Sequence, residues 1–70
     1  MSKQHIDKTS ETITNIIIEK KSFKSSLTEI IKEYKIDSTN EIEIINEVIK
    51  KLIVKGYYIE NYNPLVIKEI

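Results

Sequence analysis

His5 is the only imidazole in the chain, and with Asp7 and Glu11 close by in sequence it has the residue types of a metal or acid–base site. A divalent ion needs three or four such ligands. With no Cys and no second His at ligand spacing, His5 reads instead as a solvated residue close to a fraying terminus. Nucleophilic catalysis is served no better, because Ser10, Ser22, Ser25, Ser26 and Ser38 fall in cap or turn contexts and no base remains to build a triad around any of them. Glu41, Glu43 and Glu47 crowd one segment as a conceivable carboxylate pair or cation site. Their interleaving with Lys at helical spacing is how an exposed helix face is normally built. One Gly excludes a glycine-rich phosphate loop. The expectation is a protein that is not an enzyme, with no catalytic residue, no metal and no cofactor.

Basic and aromatic residues carry a stronger signal. Lys20, Lys21 and Lys24 form one cluster and Lys50, Lys51 and Lys55 another, with Tyr57, Tyr58 and Tyr62 just after the second. Lysines contact phosphates while a tyrosine stacks on a base, a mode of nucleic-acid binding that does not need Arg. Against it, eleven acidic residues balance eleven basic ones, and Arg, the side chain suited to bidentate reading of guanine, is absent.

The elements that must position these residues follow from apolar spacing. Spacing makes residues 5–20 a first helix with Ile6, Ile13, Ile16 and Ile17 on one face, although by propensity the β-branched stretch from Thr12 to Ile18 could instead be a strand. Ser26-Leu27-Thr28-Glu29 has the form of a capping box opening a second helix over 27–35, whose inner face is Leu27, Ile30, Ile31 and Tyr34. Asp37-Ser38-Thr39-Asn40 starts a third over 39–55, with Ile42, Ile45, Val48, Ile49, Leu52 and Ile53 as the apolar stripe and Glu47 and Lys51 as an i, i+4 pair. Gly56 stands where a left-handed C-terminal cap belongs. Beyond it the period drops to two across Asn63-Pro64, so residues 57–70 form a β-hairpin with Ile59 and Ile67 inward. The fold expected is α+β, a single domain of three helices followed by a C-terminal hairpin.

In this order of elements, the run Ser26-Leu27-Thr28-Glu29-Ile30-Ile31, then Ile36-Asp37-Ser38, then Lys51-Leu52-Ile53-Val54-Lys55-Gly56-Tyr57-Tyr58-Ile59 resembles a winged helix-turn-helix domain. The resemblance covers Ser26 to Ile70. It implies a recognition helix from about Ser38, a wing at Asn61 to Leu65, and a nucleic-acid surface of Thr39, Asn40, Glu43 and Asn46 with Lys50, Lys51 and Lys55 nearby. The third helix is about a turn longer than that family has, and Glu41, Glu43 and Glu47 on it would repel phosphates.

A protein partner is the other reading. Seventy residues supply a core worth about 3–5 kcal/mol, and without Cys neither a disulfide nor a thiolate metal site can add to it. Ile44 and Val54 lie off the apolar stripe of the third helix, and Tyr58 and Tyr62 fall on one strand face, giving a candidate interface for self-association or for a larger protein. Sixteen Ile and eleven Lys beside no Ala and no Arg point to an AT-rich genome of a bacterium, virus or mobile element. The longest apolar runs are three residues, far short of the roughly 20 that span a bilayer, and the amino terminus has no apolar leader, so a cytosolic setting is expected. The favoured function is a small regulatory or accessory protein acting through protein contacts, and the alternative is a winged-helix DNA-binding regulator.

Overall fold

A computed structural model describes residues 3–34 and 38–70, with side chains from His5 to Tyr34 and from Asn40 to Ile70. Helices α1 (Lys3–Lys20), α2 (Leu27–Lys32) and α3 (Ser38–Val54) lead into an antiparallel hairpin of β1 (Tyr57–Tyr62) and β2 (Leu65–Glu69). This is the α+β order expected.

The ambiguous stretch from Thr12 to Ile18 is helical throughout. Its β-branched residues are tolerated because tertiary burial outweighs the few tenths of a kcal/mol that each costs in propensity. Ile6, Ile13 and Ile17 are buried as expected, while Ile16 is only half-buried. Two polar residues join the buried face, Ser10 and Thr14, both fully enclosed. Each donates its hydroxyl to the carbonyl four residues back, Ser10 to Ile6 and Thr14 to Ser10, both at 2.7 Å. That local bond satisfies a polar atom that would otherwise cost about 1–3 kcal/mol to bury.

Lys21 ends α1 in the left-handed region, at φ 62°, its N–H still bonded to the Ile17 carbonyl at 2.7 Å. The chain then runs alongside β2 instead of looping away. Ser22 bridges Val66, the Phe23 N–H donates to Leu65, the Leu65 N–H to Ser25 and the Ile67 N–H to Lys21, each at 2.9 Å. A segment that reads as a break thus gives the hairpin a short third edge, which matters because a lone two-stranded hairpin is marginal.

Ser26 caps α2 by accepting from the Glu29 N–H at 3.2 Å. Leu27, Ile30 and Ile31 are buried. The helix closes at Lys32, earlier than expected, so Tyr34 sits in the following turn and is exposed instead of lining the core. Residues 35–37, which include Asp37 of the expected break and Ile36 and Asp37 of the helix-turn-helix resemblance, lie outside the described residues, while Ser38, Thr39 and Asn40 of that break open α3.

In α3 the direction of the inner face differs from expectation. Ile44, Val48 and Leu52 are fully buried, Ile45 and Ile49 are half-buried, and Ile42 and Ile53 are 69% and 54% exposed. The stripe read from spacing is rotated relative to the one buried. Helix α3 carries apolar residues over more than half its circumference, so spacing alone leaves its rotation open. What distinguishes the buried row is its flank. Lys51 and Lys55 border it and reach carboxylates on α1. Gly56 caps the helix at φ +91° as expected, its N–H donating to Ile53 at 3.0 Å.

In the hairpin Ile59 pairs with Ile67 and both face the helices, Ile67 buried and Ile59 half-buried. A bulge between Ile59 and Asn61 inserts Glu60, after which Asn61 pairs with Val66 and Tyr62 with Leu65. The turn holds a cis Asn63–Pro64 peptide, and the Asn61 side chain donates to the Pro64 carbonyl at 2.8 Å.

The rotation of α3 is testable by truncation. Leu52→Ala and Ile44→Ala should each destabilise by about 2–5 kcal/mol in denaturant unfolding, because each leaves a cavity, whereas Ile53→Ala should stay within about 0.5 kcal/mol of wild type. Gly56→Ala meets no steric neighbour. It should still cost about 1–2 kcal/mol, because an L side chain is strained at that φ.

Candidate interaction surface

The lysines that would serve a nucleic acid do not form one patch. Lys51, its side chain largely enclosed, places Nζ 2.8 Å from Asp7 Oδ1 and 3.5 Å from Glu11 Oε2. Lys55 Nζ lies 2.9 Å from Glu11 Oε1. Both cations therefore join α3 to α1 instead of standing free for phosphates, and the expected Glu47–Lys51 pair gives way to these contacts. Glu47 lies instead 3.9 Å from Lys50. Successive residues on a helix are about 100° apart, so Lys50, with its side chain 74% exposed, points to another side of α3. Asn46 is exposed and Asn40 half-buried, and the Thr39 side chain lies outside the described residues.

The same network sets the electrostatics. The Lys55 ammonium, hydrogen-bonded to Glu11, is the main cause holding that carboxyl below its ordinary 4.5, with Lys51 adding to the effect. The Asp7 carboxylate is the main cause raising Lys51 above its ordinary 10.5, with Glu11 in support. A depressed carboxyl contributes stability that is complete above its unfolded value and fades as pH falls through the folded one. A raised ammonium contributes below 10.5 and fades as pH rises beyond the folded value. The Lys20 ammonium stands 5.7 Å from the Phe23 ring centroid, and Lys21 stands at the same distance from Tyr57. These contacts occupy part of the first lysine cluster.

Of the four residues expected at a protein interface, the structure relocates one. Ile44 is fully buried at the centre of the α3 inner face and is removed from the surface. Val54 is 85% exposed, and Tyr58 and Tyr62 are also exposed. The two tyrosines do not share a strand face, because the bulge at Glu60 reverses the alternation between them. Tyr58 pairs with Lys68 on the outer face, whereas Tyr62 pairs with Leu65 on the face that turns toward the helices. Glu60 and Lys68, 3.2 Å apart, continue the outer face.

The residues that take the place of Ile44 are Ile42 and Ile53. Seven-residue bookkeeping would have found them, since Ile42, Asn46, Ile49 and Ile53 recur at alternating steps of four and three along one side of α3. His5 is exposed on the first turns of α1, while the nearby Asp7 and Glu11 are engaged by lysines. Among the described residues no group of three or more His, Cys, Asp or Glu is placed to hold a metal ion, and no helix is long and apolar enough to cross a membrane.

Replacing Glu11 by Gln should lower the melting temperature at neutral pH and flatten its fall on acidification below about pH 4.5. Thermal melts of the two proteins between about pH 3 and pH 7 check both effects, and parallel acid limbs would remove Glu11 from the linkage. Comparison of the chain with protein-family models, with curated proteins and with solved structures finds no match.

Proposed function

We propose that this chain is a small accessory or regulatory protein that acts through protein contacts in a cytosolic setting. The observation that carries the reading is the double-sided apolar character of α3, which buries Ile44, Val48 and Leu52 while leaving Ile42 and Ile53 largely in water. A helix that needs only to close its own core has no use for large aliphatic side chains on its outer side. In so small a chain they add exposed apolar surface without adding core. Val54 and Tyr58 extend the exposed apolar character to the end of α3 and the outer face of the hairpin.

A second reading, a winged-helix DNA-binding regulator, is favoured by one specific observation. The Ser22 bridge to Val66 inserts a strand-like segment between the first two helices, so that helix, edge, two helices and hairpin follow one another. The electrostatics weigh against it, because Lys51 and Lys55 are compensated by Asp7 and Glu11 and the net charge is zero.

Titration of a fluorescent random-sequence duplex at low and at moderate salt separates the two. Under the protein-contact reading the expected result is no binding at micromolar protein in either buffer. Micromolar or tighter binding that weakens steeply with salt would overturn it in favour of DNA.

A further inference from the structure

We infer that the outer stripe of α3 is a self-complementary seam for a second copy of this chain, with the two α3 helices antiparallel about a two-fold axis midway between Asn46 and Ile49. This inference rests on the protein-contact reading and names its partner. Ile42, Asn46, Ile49 and Ile53 are spaced four, three and four residues apart, the alternation that keeps one line of side chains facing a neighbouring helix. Ile42 and Ile53 are largely exposed and Asn46 is exposed, while Ile49 is half-buried at the edge of the core that Ile44, Val48 and Leu52 close, so the line runs along the border of that core with its ends in water.

Charge selects both the occupant and its direction. One flank of the line is apolar and merges with the core through Ile45 and Leu52. The other carries Glu43 and Lys50, both exposed and seven residues apart. When a second α3 lies antiparallel, Glu43 of each copy meets Lys50 of the other, so a two-fold forms the pair twice. Ile42 then packs on Ile53 of the second copy, and Ile49 packs beside Asn46. A parallel arrangement would set Lys50 against Ile45 and form neither pair. The contact between Lys50 and Glu47 within one chain is 3.9 Å long, at the outer limit of an ion pair, and offers little competition. Asn46, opposite Ile49 of the second copy, places an amide in the otherwise apolar seam, the kind of polar group that fixes register at a cost in strength. A single helix pair falls at the small end of protein interfaces, where complexes are weak, so the association expected is in the micromolar range.

The test is sedimentation equilibrium of the wild-type chain, Glu43→Lys, Lys50→Glu and the double exchange, with circular dichroism confirming that each is folded. Wild type should dimerise in the micromolar range. Each single exchange places like charges together twice and should weaken the dimer roughly tenfold. The double exchange restores opposite charges and should return to within about threefold of wild type. A wild-type chain that stays monomeric to several hundred micromolar, or a dimer whose single and double exchanges behave alike, overturns the seam. Neither result touches the broader reading, whose failure is read separately as salt-dependent binding of duplex DNA.

Discussion

Helix α3 packs against α1, α2 and β1, and its rotation about its own axis decides what every one of those neighbours meets. Two kinds of interaction set that rotation together. Ile44, Val48 and Leu52 must be enclosed, and fully burying each such side chain contributes about 1.5–3 kcal/mol. Apolar area has no preferred direction, and α3 has aliphatic residues on several sides. The ion network of Asp7, Glu11, Lys51 and Lys55 is weaker but directional, and it is made in the rotation observed. Exposed pairs of this kind add little stability, and here they act by selecting among packings that burial alone would leave close in energy.

The inner face of α1 fits the same picture. Ser10 and Thr14 are fully buried among the aliphatic residues of this face, and their hydroxyls donate to the carbonyls of their own helix. The neighbouring helix is therefore asked for no hydrogen-bond partner. Ile6, Ile13 and Ile17 join Ile44, Val48 and Leu52 of α3 in one core cluster.

The order of elements was legible in the sequence because each boundary carries local chemistry: Ser26 as a cap, Gly56 at a positive φ, and the change of period after it. The candidate surface was less legible, and each discrepancy has a physical source. Ile44 and Ile53 exchanged places because two overlapping stripes on α3 have equal merit until α1 supplies its carboxylates. Tyr58 and Tyr62 parted because a one-residue bulge reverses facing without leaving a mark such as Gly. Lys21 adopts φ 62° with no glycine to announce it, and the strand-like use of Ser22 depends on a partner more than forty residues away. Local patterns report local preferences, and all of these were decided across the fold.

The bonds from Lys21, Phe23 and Ser25 to β2 tie the connection between the first two helices to a segment that the ribosome delivers after all three helices. Leu65 and Ile67, which complete the core, arrive with that segment. The inner faces of the helices therefore stay partly uncovered until β2, made after them, docks across the connection between α1 and α2. The chain's contacts are mostly local, but the closing of the core is long-range, and until β2 docks the apolar faces of the helices lack part of their cover.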